Sequence, residues 1–197
     1  MTDGEQACHE LLVRLAGRLP DDLLWRLRDW LAAGSRATLG ATLPRELLRH
    51  RVGLADDERE LLEASVGGWG ASRHLLDAVL PTDPAGQPAP AFRAGDQGLD
   101  AAALSVLAVV RGHPGCTELH EAWRVGGRRD QRVVLVRGGE RPWQLAGTLQ
   151  RVLRAHGDRT PCVEVLPSHG EPLDYHRAVI IEATRLWRAA VPVGLDG

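Results

Sequence analysis

Residues 132–166 read RVVLVRGGERPWQLAGTLQRVLRAHGDRTPCVEVL, and the fold turns on this stretch. It opens on RVVLVR (132–137), a run of branched apolar residues suited to a buried strand. Gly138 and Gly139 interrupt the run, and Pro142 stands where a helix takes its first turn. Leu145, Leu149, Val152 and Leu153 then recur at helical spacing until Gly157 stops them. Pro161 leads into CVEVL (162–166), a second short strand. Strand, helix and strand in that order imply a right-handed parallel crossover.

Working outward, residues 117–125 alternate through Leu119, Glu121, Trp123 and Val125, and GGRRD (126–130) can turn them into an antiparallel hairpin with 132–137. Asp100 is a natural N-cap, and with the alanines behind it predicts a helix over 101–112. A last helix is expected from about Asp174 to Ala190, burying Val179, Ile180, Ala183, Leu186 and Trp187. The order is α-β-β-α-β-α, a three-stranded sheet with RVVLV in its centre. Its edges are then ELHEAWRV and CVEVL, and CVEVL is poorly protected against pairing with another chain. Either an extended segment of the same chain covers that edge, or the protein is a homodimer joined there or through the Trp25 and Ile181 surfaces.

From 1 to 80 the periodicity is helical. Thr2-x-x-Glu5 resembles a capping box ahead of Ala7, Leu11 and Leu15. Pro20, Asp21 and Asp22 open a second helix whose Leu23, Leu24, Leu27, Trp30 and Leu31 share an arc of about 120°. A third, over 36–51, is expected to break near Pro44. Asp56 and Asp57 open a fourth through Leu61 and Leu62, and Leu75, Leu76, Val79 and Leu80 mark a fifth. The stretch 81–99, with four prolines and three glycines, reads as a linker that Phe92 pins to one unit. The fold class is α+β: an N-terminal helical bundle (1–80), a Pro/Gly linker (81–99) and a small α/β sandwich (100–197).

The stretch from Leu99 to Pro167 resembles the C-terminal module of the SseB (enhanced serine sensitivity) family. The likeness lies in the apolar helix before HPG, in ELHEAWRV, RVVLV, WQLAGTLQRVL and CVEVL. It implies the fold of about a third of the chain and brings no catalytic residues. The whole chain is similar to proteins of high-GC bacteria.

Composition sets further limits. A formal net charge of −2 over 197 residues gives no general attraction to nucleic acid or anionic membranes. No apolar run reaches the roughly 20 residues that span a bilayer. The opening MTDGEQACHE has neither the basic patch nor the apolar core of a signal peptide, so a cytoplasmic location is expected. Cys8, Cys116 and Cys162 are an odd number, which argues for free thiols. The chain contains no lysine, as a GC-rich codon bias would produce.

The candidates for chemistry are few. Cys116 and His120, with His113 nearby, have a metal-ligand spacing on a helix, but on a strand they stand about 13 Å apart. The alternation at 117–125 therefore predicts no metal there. His176 falls on the apolar face of the last helix, where a hydrogen-bonded core histidine is expected, and Cys162 reads as a small hydrophobe. Gly138-Gly139 occupies the place of a phosphate loop, yet no Gly-Lys-Ser/Thr follows and Glu140 puts a negative charge where an anion would sit. Segment 122–159 holds nine arginines against three acids, Arg128, Arg129 and Arg132 among them. It could meet phosphates, or be a solvated face neutralised by acids elsewhere. Trp25 lies at about 200° on its helical wheel, opposite the apolar arc, and Ile181 is likewise opposed to its own stripe.

The expected function is a non-enzymatic adaptor or regulatory protein that binds a protein partner, without a cofactor. The binding surface would draw on Trp25, Ile181, Arg128, Arg129 and Arg132. The alternatives are an enzyme using Cys/His in an inter-domain cleft, or an anion or nucleic-acid binder using segment 122–159, with nucleic acid the less expected partner.

Overall fold

The computed structural model describes residues 3–82, 90–95, 98–127 and 129–190, so Thr2 and Arg128 lie outside the described residues. The chain is α+β. Helices α1 (Asp3–Arg14), α2 (Asp21–Ala32), α3 (Arg36–Arg49), α4 (Asp56–Ser65) and α5 (Arg73–Ala78) come first, with a short 3-10 turn after α4. Strand β1 (Phe92–Arg93), helix α6 (Ala101–Gly112), strands β2 (Cys116–Arg124) and β3 (Gln131–Gly138), helix α7 (Pro142–Ala155) and strand β4 (Cys162–Leu166) follow. Helix α8 (Asp174–Glu182) and strand β5 (Thr184–Arg188) complete the order. Among the described residues no helix is long and apolar enough to cross a membrane.

The hairpin and the crossover have the expected registers. Strands β2 and β3 are antiparallel, with Leu119 opposite Val136 and Ala122 opposite Val133. Strands β3 and β4 are parallel, with Val134 opposite Val163. Period two then sorts the side chains. Val134, Val136, Val163 and Val165 face α6 and α7, while Val133, Leu135, Cys162 and Leu166 face α8 and Val13 of α1. Asp100 caps α6 as expected, its carboxylate accepting from the Ala103 amide at 2.8 Å.

Three expectations need correction. The sheet has five strands rather than three, because β1 forms within the expected 81–99 linker and the expected 174–190 helix ends at Glu182. Ala183 turns extended (φ −75°, ψ 148°), and Thr184–Arg188 becomes β5. The physical reason is the open edge of β2: β5 pairs antiparallel with Glu118–Glu121, and β1 pairs with Trp123 and Arg124 farther along. Backbone groups that a helix would have left unpaired are thereby satisfied.

Helix α3 is not broken at Pro44 but runs through it. An interior proline costs about 3 kcal/mol. Leu39, Leu43 and Leu47 are each fully buried on one side of α3, and each such leucine contributes about 1.5–3 kcal/mol. The packing outweighs the proline.

The CVEVL edge has a cover other than the two expected for it. Side chains of the N-terminal helices cover it, the Val163 carbonyl accepting from Arg28 at 2.8 Å and the Val165 carbonyl from His9 at 2.9 Å. Helix α2 lies along α7 so closely that a Cβ on Gly147 would stand 2.3 Å from the Ala32 methyl. Trp143 of α7 reaches into the leucine core of the helices. Phe92 is buried, its ring edge-on to Tyr175 with centroids 5.4 Å apart, which ties β1 down against α8.

Candidate functional site

The polar groups that the fold buries come first, because they decide which side chains remain available for chemistry. Glu164 sits mid-strand in β4, pointing toward α8, and is 1% exposed. Arg28 grips both its oxygens, at 2.8 and 2.7 Å, and also donates to the Leu12 carbonyl at 3.0 Å. His176 Nε2 donates to the same carboxylate at 3.1 Å. Burial alone would push the Glu164 carboxyl up, but the Arg28 charge and the His176 contact prevail and hold it below the usual range. Asp21, at the start of α2, makes a second tie to the sheet by pairing with Arg124 of β2.

His9 of α1 is spent in a similar way. Its Nε2–H is committed to the Val165 carbonyl, and burial pushes its pKa down to about 4, so the ring is neutral at neutral pH. The thiols are not poised as nucleophiles. Burial pushes Cys116 up to about 11, and burial with the nearby Glu5 charge pushes Cys8 up to about 12. Cys162 is raised too, by burial first.

Cys116 and His120 both lie on β2 and, because a bulge intervenes, face opposite sides of the sheet. His113 Nδ1 is 3.8 Å from the Cys116 sulfur. Among the described residues no group of three His, Cys, Asp or Glu is placed to hold a metal.

The surface residues singled out from sequence do not converge. Trp25 is half-buried beside α7, with the Arg154 guanidinium 4.6 Å from its ring centroid. Ile181 is 71% exposed on α8, which covers the other face of the sheet. Arg129 is exposed, whereas Arg132 is half-buried, pairs with Asp100 and Glu121, and stacks 4.9 Å over Trp123. With Arg124 on Asp21 and Arg151 3.8 Å from Asp29, three of the nine arginines of 122–159 have a carboxylate partner among the described residues.

Among the described residues a cleft of about 360 Å³ opens where β3 and β4 end, the end of a parallel strand pair at which ligands commonly bind. Gln6, His9, Glu10 and Val13 of α1 form one side. The turn from Gly138 to Glu140 and the run Val165–Ser168 form the other. A second cleft of about 220 Å³, between α1 and the 169–173 loop, shares Glu10, Val13, Leu166 and Pro167 with the first.

The glycine turn is built for close approach. Gly138 and Gly139 have φ of 75° and 109°, and a Cβ on Gly138 would lie 2.2 Å from the Gly115 carbonyl oxygen. The amides a phosphate would need are engaged, Gly139 donating to Gly115 at 2.9 Å and Glu140 to Pro114 at 3.1 Å. Pro142, at the first position of α7, has no N–H to offer. The turn is therefore a rigid wall of the cleft.

No protein-family model, no curated protein and no solved structure matches this chain.

Proposed function

We propose that this protein is a non-enzymatic adaptor or regulatory protein, and that it captures a segment of a partner protein in the adjacent clefts between α1 and the ends of β3 and β4. The observation behind this is the pairing of two open clefts, about 360 and 220 Å³, around the shared residues Glu10, Val13, Leu166 and Pro167. Two adjoining hollows with apolar floors suit consecutive side chains of an extended segment. The groups that could have served as nucleophile or base beside them are committed elsewhere, His9 to Val165 and His176 to Glu164.

A photo-crosslinking residue tests this in the native cell. Introduced at Gln6, which is exposed and lines the cleft, it should give one discrete protein adduct. The same residue at Arg26, exposed on α2, should give none, and Ser168→Trp, which fills the cleft, should abolish the Gln6 adduct. Equal labelling from both positions, or no adduct from Gln6, would overturn the proposal.

A further inference from the structure

Resting on that reading, we infer that the captured segment is anchored by a basic side chain, an arginine guanidinium or lysine ammonium whose apolar flanks lie along the larger cleft. The case begins with charge. The chain carries 24 arginines, yet none among the described residues lines this cleft, and Glu10 and Glu140 both do. Glu10 already shares Arg14, which also pairs with Asp57. Glu140 is exposed and has no ionic partner among the described residues. Its backbone is fixed by the bond from its amide to Pro114, so the carboxylate projects from a rigid turn.

A second observation concerns His9, which lines the same cleft and is only 4% exposed. Because Nε2 carries the proton toward Val165, Nδ1 is left as a bare acceptor, without a hydrogen-bond partner among the described residues. That nitrogen is itself sealed from solvent, so the carboxylates of Glu10 and Glu140 are the groups of this cleft that meet the cation. Val13, Pro142, Val165, Leu166 and Pro167 supply the apolar surface that an alkyl stem covers. A volume of about 360 Å³ falls within the range of about 300–1,000 Å³ seen for ligand pockets.

Amide NMR on the full-length 15N-labelled chain tests the inference with three probes. One is an acetylated, amidated pentapeptide with a central arginine between leucines. Another has citrulline, the neutral isostere, in place of that arginine. The last is n-butylguanidinium, the side chain alone. The arginine peptide should shift the Gly138, Gly139 and Glu140 amides in a saturable way, and the citrulline peptide should bind about fivefold more weakly, the scale of an exposed charge pair. Glu140→Gln, an exposed change that leaves the core intact, should weaken the arginine peptide to the citrulline level and leave the citrulline peptide unaffected.

Equal binding of the two peptides would overturn the cationic anchor while supporting the segment-binding reading. If n-butylguanidinium binds as tightly as the arginine peptide, the cationic chemistry holds but belongs to a free small molecule, and the segment-binding reading fails. Absence of shifts at 138–140 with all three probes would overturn both.

Discussion

Arg28 of α2 and Glu164 of β4 meet through two parallel hydrogen bonds of 2.8 and 2.7 Å, with both side chains almost wholly buried. This pair joins the N-terminal helices to the edge of the sheet. A buried ion pair is weak evidence of net stabilisation, but removing one partner strands the other's charge in the interior. Arg28→Met or Glu164→Leu alone should each cost about 3–5 kcal/mol. The double variant should recover a large part of that loss. Urea denaturation of the four proteins measures the coupling, and strictly additive losses would refute it.

Acid should loosen the same seam. His9 has a pKa of about 4 in the folded protein against 6.5 unfolded. Above pH 6.5 both states hold it neutral, and as the pH falls toward 4 only the unfolded state gains the proton. Stability should therefore drop by about 3 kcal/mol across that window. Glu164, whose carboxyl is held below its usual range, adds a loss in the same direction at lower pH still. His9→Gln should flatten the first part of the curve in denaturation experiments at stepped pH.

Gly147 gives a prediction in which two effects compete. Helix propensity alone makes Gly→Ala stabilising by about 1 kcal/mol. The new methyl, however, would stand 2.3 Å from the Ala32 Cβ, and such overpacking costs about 1–3 kcal/mol. We expect Gly147→Ala to lower Tm, and Ala32→Gly to restore it. A rise in Tm for the single variant would mean that α2 and α7 can separate freely.

The thiols should be silent in the native state. Cys8, Cys116 and Cys162 are all buried with raised pKa. Ellman's reagent at pH 8 should label none of them within minutes and all three after unfolding. Rapid labelling of Cys116 would point to thiol chemistry that the burial of this group does not support.

Much of the fold was legible because it is written in local periodicity. The hairpin, the crossover and α6 follow from alternation, from Pro142 and Gly157, and from the Asp100 cap. What was misread depends on partners distant in sequence. Residues 184–188 look helical on a wheel and become a strand because β2 offers them an unpaired edge. Pro44 is a breaker locally and is overridden by three buried leucines.

The candidate site was legible only in part. Glu140 and the glycine pair stood out from sequence, with Glu140 read as a charge unwelcome to anions. His9 and Glu10 did not stand out, since nothing local shows that α1 lies across the end of β4. Two signals could have exposed the seam. Arg28 falls at about 140° on the α2 wheel, just beside the apolar arc, and Glu164 is an acid in the middle of an otherwise apolar buried strand.

Hydrogen exchange of the full chain, with and without the partner captured from Gln6, tests the central claim most directly. Binding should slow exchange in two places, the 138–142 turn with the start of α7, and residues 165–168, while β5 and the Ile181 end of α8 stay unchanged. Protection centred on Ile181 or on Trp25 instead, with the 138–142 turn exchanging as before, would contradict it.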